Sequence, residues 1–505
     1  MPATSLAEAD APLVLALDLG TSSLRALLFD RQGRAIDGSE EQLSHSVRTT
    51  PDGGVEADAT PLFDLLVRCI DGALGRAGER AGEIAAVGVA CFWHSLLGLD
   101  AQGEPATPIL MWADARSAAE AVALRREVGS EATAIQQRTG CRFHSSYWPA
   151  KLRWLRTTNP DGFARVARWG SFTDYVALRL FGEARTSFSM ASGTGLLDVR
   201  RLVWDEELAA RLAVAPTALV PLVDRDEPEP SLRSEFAARW SALARVPWYP
   251  AIGDGAGANV GCGAIGPDRI ALTVGTSGAL RVVTPGQTAA PPDLWVYRLD
   301  RERPIVGGAV SNGGNVLAWL GKLLQVDFDG PGLEAAAALP PDAHGLTILP
   351  FIAGERAPGW HDRAAGAIVG LTLATKPEHL LRAATEAVAY RLALIYDDVR
   401  PLAAKTHRVV ANGGAILRSP AWLQILADVL GHDLTALPPD DEATARGAAL
   451  CALHATGLIP TLDAVPDPAT DDSTYRPDPV RHATYRAGLE RQLELERTLH
   501  GSDDH

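Results

Sequence analysis

Residues 13–19, LVLALDL, are apolar at every position except Asp18, the pattern of a strand buried on both faces. A turn of small residues, Gly20-Thr21-Ser22-Ser23, follows, and LRALLFD reads as the returning strand. GRAI (33–36) then continues a β-meander after a second turn at Gln32-Gly33. EIAAVGVACF (83–92) is a further apolar run of strand length. The apolar period lengthens to that of a helix in AWLQILADVLG (421–431), closed by a glycine, and in PEHLLRAATEAVAYRLALIYDDV (377–399). The latter opens on a proline with an acidic residue in its first turn. RVVANGGAI (408–416) predicts a strand running into a glycine turn, and VPLVDRDEPEPS (220–231), rich in proline and charge, predicts a loop. After about residue 465 the chain is polar, with its last few residues expected to be loose. The alternation of strands and helices is that of an α/β protein.

One hydrophobic pattern occurs twice. IALTVGTSG (270–278) repeats LALDLGTSS (15–23), so that Gly275, Thr276 and Ser277 correspond to Gly20, Thr21 and Ser22. Chance similarity of two buried strands is the bland alternative. The half-chain separation favours duplication, with two domains each opening on the same strand–turn–strand cradle. The expected boundary gives domains 1–263 and 264–505.

Composition narrows the field. The 505 residues are too many for one core. With 47% hydrophobic and 22% charged residues the chain is globular, and a net charge of −15 argues against nucleic acid or an anionic membrane as partner. The five cysteines are scattered without a CxxC pair, so neither a disulfide framework nor a zinc site is indicated. MPATSLAEADAP has no basic or apolar leader segment, and no apolar run approaches the roughly 20 residues of a membrane helix. A cytoplasmic protein is expected, with a homodimer left open.

A buried carboxylate is costly unless it is paired or works on a cation. Asp18 enters a turn whose backbone amides and hydroxyls could nest a phosphate. That placement suits Mg²⁺ between carboxylate and phosphate, although an aspartate also commonly caps such a turn. The second copy has Thr273 in place of Asp18 and keeps Gly275-Thr276-Ser277. Two phosphate cradles with one metal carboxylate would serve a single Mg·ATP.

LDLGTSSLRALLFD resembles the first phosphate motif of the FGGY carbohydrate kinases, members of the actin-like ATPase superfamily. The resemblance runs from about residue 13 to about residue 455. ACFWHSLLGLD (90–100) and PILMWADARS (108–117) are similar to sugar-side segments. PAKLRWL (149–155) and GAIVGLTLATKPEHLLRAATEAVAY (366–390) are similar to the two family signatures, the latter with Thr385 at a usually apolar position. WYPAIGDGAGANVGCGA (248–264) resembles the segment of the catalytic aspartate, and VVANGGAILRSPAWLQILADVLG (409–431) the adenosine-binding segment. WHSLLGLD, MWADARS, CRFHSSYWPAKLRWL, MASGTGLLD and LPFIAGERAPGW most resemble gluconate kinases, with xylulose kinases the alternative. The resemblance implies two ribonuclease-H-like α/β domains with an interdomain cleft, and ATP-dependent phosphorylation of a sugar or sugar acid.

The same resemblance implies the roles. Asp254 is the general base, its small neighbours leaving room for a substrate, although an aspartate there also starts a helix well. Asp18 goes to Mg²⁺; Gly20, Thr21, Ser22, Gly275, Thr276 and Ser277 go to the phosphates, with Arg25 either at the γ-phosphate or solvated. Gly314, Gly413 and Gly414 would let the backbone approach the nucleotide, and Arg418 would lie beside adenine. Trp93 and His94 would meet the sugar, and Lys151 or Arg356 the carboxylate of a sugar acid. Trp112, Asp114 and Arg116 could form a structural salt-bridge cluster or contact the substrate, with Asp114 read as structural. There is no GxxxxGK[ST], so this is not a P-loop kinase, and GCGAIG (261–266) follows no clear strand. An actin-like assembly protein is the reading from another class; it would need no sugar pocket.

Overall fold

The computed structural model describes residues 3–325, 335–361, 364–438, 442–469 and 473–501. The chain forms two compact units: Met1–Ile265 with Thr284–Ile305 and Glu442–Pro468, and Gly266–Val283 with Val306–Asp441 and Ala469–His505. The first unit's leading segment ends at Ile265, and two later segments return to it. They do so because they complete its core: Trp295 and Tyr297 pack on Trp93, and helix Ala443–Ala455 packs on the helix that carries Asp254.

In the first unit the sheet is built from β1 (Leu13–Leu19), β2 (Ser23–Phe29), β3 (Glu41–Ser44), β4 (Ile84–Cys91) and β5 (Ile252–Gly253). Its order is β5-β4-β1-β2-β3. β1 is antiparallel to β2 and parallel to β4, which is parallel to β5. Every residue of β1 but Asp18 is fully buried. The third strand of the meander is Glu41–Ser44 rather than GRAI, whose Ala35 and Ile36 make only single bridges. Helix α1 (Ala59–Ala77) packs on β2 and β3, and helix Ala443–Ala455 on β1 and β4. β5 runs straight into α2 (Asp254–Gly261). The expected loop at 220–231 contains the short strand Leu222–Val223 and buries two charges, Asp224 and Arg225, with Arg225 Nε 3.0 Å from Asp300 Oδ2.

The second unit repeats the plan. β6 (Arg269–Val274) is antiparallel to β7 (Gly278–Val283), beyond which lies β8 (Pro304–Val310). β6 is parallel to β9 (Arg408–Asn412), β9 is parallel to β10 (Leu434–Ala436), and β11 (Thr474–Tyr475) closes the edge antiparallel. Its helices are α3 (Gly314–Leu324), α4 (Pro377–Val399), α5 (Pro420–Leu430) and α6 (Pro479–His500). α4 has its proline in the first turn beside Glu378, and α5 ends on Gly431 at φ 63°, the left-handed conformation that glycine accepts. The polar stretch after residue 465 is mostly α6, which buries Tyr485, Leu489 and Gln492; its last residues, 502–505, lie outside the described set. All five cysteines are buried free thiols, and burial pushes Cys69 up to about 11. No described helix is long and apolar enough to cross a membrane.

Candidate active site

Because β5, β4 and β1 are parallel, their carboxyl ends lie side by side, the end of an α/β sheet where ligands collect. Ala90 of β4 has Ile252 on one side and Asp18 on the other. At the usual strand spacing Asp18 and Ile252 are about 10 Å apart. From these ends project Asp254, the Trp93-His94 loop and the Gly20 turn.

Asp254 is the first residue of α2, after Gly253, and its Oδ1 accepts from the Gly255 amide at 2.8 Å. A helix amino end favours negative charge there. The residue is half-buried, leaving its carboxylate reachable. Asp18 is also half-buried. Desolvation lifts its carboxyl to about 7, against the pull of Arg25, and the carboxylates of Glu442, Asp254 and Glu40 push it further up. That is an environment a divalent cation would relieve, so the residues present fit a metal ion. Arg25, directly opposite Asp18 in the antiparallel pair, is half-buried and paired: its Nη1 is bonded to the Glu442 carboxylate.

An aromatic wall stands beside Asp254. Trp93 and His94 are both buried, with the Trp93 indole N–H donating to Ser189 O at 2.9 Å. Tyr297 lies 4.9 Å from Trp93 and 5.6 Å from His94 between ring centroids, Tyr147 lies 5.2 Å from His94, and Trp295 stacks on Tyr297 at 3.9 Å. The two tyrosine hydroxyls are hydrogen-bonded at 2.6 Å. His94 holds a left-handed backbone, φ 68°, uncommon for a residue with a side chain and frequent at functional sites. The wall is keyed to the carboxylate through Gly253: a Cβ there would sit 1.8 Å from Trp93 Cε2, so the indole lies against the residue preceding Asp254.

Lys151 is engaged by backbone carbonyls. It is wholly buried, and its Nζ donates to His94 O at 3.0 Å and Met111 O at 2.8 Å, with burial lowering its pKa to about 7. Its α-helical position, Trp148–Thr158, carries the long stem inward, where two carbonyls replace water. Lys151 therefore positions the His94 loop. Lys151→Met keeps the stem and strands both carbonyls; the sugar KM is expected to rise about tenfold with the ATP KM unchanged, checked by steady-state kinetics. Asp114 and Arg116 form a buried cluster with Glu56, Arg116 lying 4.5 Å over the Trp154 ring, with Trp112 half-buried alongside in sequence.

In the second unit the Gly275-Thr276-Ser277 turn has all three carbonyls engaged. Gly275 O accepts from Gly314 N at 2.9 Å, Thr276 O from Gly313 N and Asn315 N, and Ser277 O from Gly275 N. With the Gly275 amide spent on Ser277 O, what the turn still offers is the Thr276 and Ser277 amides and hydroxyls, the groups an anion needs. In the first unit the Gly20 and Ser22 carbonyls are likewise taken by His45. The glycines divide into two kinds. Gly314 and Gly413 are tight against protein: a Cβ would lie 2.7 Å from Gly275 O and 2.5 Å from Val274 O, and Gly413 sits at φ 100°. Gly20 is similar, 3.0 Å from Ser23 O. Gly275 has open space, and Gly414 meets only Arg418 Nη2 at 3.8 Å, so these two leave room that a ligand can fill. Arg418 is exposed, and Arg356, half-buried, donates to Val310 O at 3.4 Å.

Among the described residues Asp342, His344 and Glu386 could also ligate a metal, but Glu386 already accepts from Arg382, Tyr390 and His344. Sequence reading missed Tyr147, Trp295, Tyr297 and Glu442. The aromatics look like core residues by pattern, and Glu442 carries no motif signal; only the fold brings them to the strand ends.

Residues 13–261 match the N-terminal domain of the FGGY family of carbohydrate kinases and residues 270–456 its C-terminal domain. The chain belongs to this family. It is 29% identical over 505 residues to a gluconokinase of Bacillus subtilis (strain 168), covering 96% of both. It is 29% identical over 481 residues to a xylulose kinase of Escherichia coli (strain K12), covering 94% of this chain and 96% of the relative. The crystal structure of gluconate kinase from Lactobacillus acidophilus superposes with a TM-score of 0.88 at 28% identity, covering 97% and 98% of the two chains. The two-domain, ribonuclease-H-like α/β fold and phosphotransferase activity on a small sugar follow, with ATP as the phosphoryl donor; the assembly-protein reading is set aside.

Proposed function

We propose that this kinase phosphorylates gluconate, with xylulose the second choice. The observation that carries the reading is the Trp93–Gly253–Asp254 contact, which seats an aromatic sugar wall against a reachable carboxylate. The rings stack on the apolar faces of a polyol, the His94 imidazole hydrogen-bonds a hydroxyl, and Asp254 takes the proton of the attacking hydroxyl as the O–P bond forms. We assign the nucleotide to Gly275, Thr276, Ser277, Gly314, Gly413, Gly414 and Arg418 in the second unit. Gly20, Thr21, Ser22 and Arg25 are assigned to phosphate in the first. Asp18 would hold Mg²⁺, which when bound neutralises phosphate charge. With Lys151 committed to backbone carbonyls, Arg356 is the cation assigned to the substrate carboxylate. The protein is read as cytoplasmic.

A coupled assay of ADP release with gluconate, xylulose and glycerol tests the substrate. Gluconate is expected to stimulate turnover most; greater stimulation by xylulose moves the assignment to the second choice. Asp18→Asn is expected to raise the Mg²⁺ concentration needed for half-maximal rate by about tenfold, measured by metal titration.

A further inference from the structure

The Arg25–Glu442 pair has no role in the reading above, and the inference drawn from it rests on that reading of Asp18 and Arg25. Arg25 is the guanidinium next to the proposed metal carboxylate, and Glu442 holds its Nη1 while Glu40 stands 3.9 Å from its Nε. The two side chains of the pair are 27% and 30% exposed, so an incoming anion can reach them.

Glu442 is not on a mobile arm. It is the residue before helix Ala443–Ala455, and its carbonyl accepts from Arg446 N at 2.8 Å. That helix touches its neighbours backbone to backbone. A Cβ on Gly447 would lie 1.9 Å from Gly257 O, one on Gly261 1.8 Å from Ala443 O, and one on Gly88 2.2 Å from Ala448 O. Arg446, itself buried, locks the crossing by donating to the Gly33 and Gly261 carbonyls. Glu442 is thus fixed to the same frame as Asp254 and β4.

The consequence is electrostatic. With Arg25 and Glu442 neutralising each other, the strand ends present the carboxylates of Asp18 and Asp254 to whatever arrives. A bare triphosphate is repelled, whereas one already complexed to a divalent cation is not. We propose that Glu442, by holding Arg25, makes the first unit discriminate against metal-free nucleotide, and so is a selectivity residue for the kinase reaction. When a complexed phosphate enters, Arg25 exchanges one oxyanion for another at little cost.

The test is calorimetric binding of a non-hydrolysable ATP analogue to the full-length protein, in Mg²⁺ and in EDTA. Glu442→Gln is expected to tighten metal-free binding about fivefold while leaving binding in Mg²⁺ within about twofold. In an Arg25→Gln background the same substitution should tighten metal-free binding clearly less, since only the loss of its own charge remains and no guanidinium is released. Glu442→Ser, which places a good capping residue before the helix while removing the charge, should reproduce the effect if Glu442→Gln folds poorly. Unchanged metal-free affinity in the folded Glu442 variants, or equal tightening without Arg25, overturns the proposal. The metal reading fails separately: if Asp18→Asn leaves the Mg²⁺ dependence of binding intact while Glu442→Gln shifts it, the Asp18 assignment falls and the Glu442 assignment stands.

Discussion

Asp254→Asn is expected to lower sugar-dependent turnover by about 10³-fold while nucleotide affinity stays at the wild-type value. The substitution is chosen for what it preserves. The amide oxygen can still accept from the Gly255 amide, the first turn of α2 is retained, and no volume changes beside Gly253 and the Trp93 indole. The capacity to accept the hydroxyl proton is lost, together with the negative charge that Asp18 feels. Steady-state ADP release gives the rate, and calorimetry with an ATP analogue gives the affinity. Turnover within a few-fold of wild type would show that this carboxylate does not serve as the base.

Gly447→Ala is expected to be among the most destabilising single methyl additions in the first unit. The new carbon would lie 1.9 Å from the Gly257 carbonyl oxygen, and its neighbour is backbone on a packed helix, which cannot rotate away as a side-chain tip can. Relief requires the two helices to separate, at a cost of about 3 kcal/mol. The thermal midpoint for unfolding of this unit should fall by about 4–5 °C. Gly75→Ala, inside α1 with nothing within 4 Å of the added carbon, is the control and should raise stability by about 0.5–1 kcal/mol. Equal effects of the two substitutions would mean that the helix crossing has more give than its geometry indicates.

The parts visible in the sequence are those set by local pattern. β1 and β6, α4 and α5 lie where periodicity and their glycine and proline boundaries predict, because burial and capping act on neighbouring residues. The third strand was misplaced because GRAI has the right letters but pairs only through isolated bridges, while Glu41–Ser44, half polar, gets its register from β2. Lys151 was misread because a lysine in a substrate-like motif looks like an available cation; that two carbonyls distant in sequence consume it is a tertiary fact. Glu442 was invisible for the same reason, since its partner Arg25 lies at the other end of the chain. The glycines of the nucleotide segment all look alike in sequence, and only the space around each separates Gly275 and Gly414 from Gly314 and Gly413.

The five sequestered thiols bear on handling as well as on packing. Each lies in the interior, and burial raises Cys91 and Cys141 as it does Cys69, so near neutral pH the reactive thiolate is scarce. Alkylating reagents should therefore modify the native enzyme only as fast as it opens. Cys262, at the carboxyl end of α2, and Cys451, within the helix crossing it, make labelling by iodoacetamide a clock for the opening of the first unit, readable by mass spectrometry without any engineered probe.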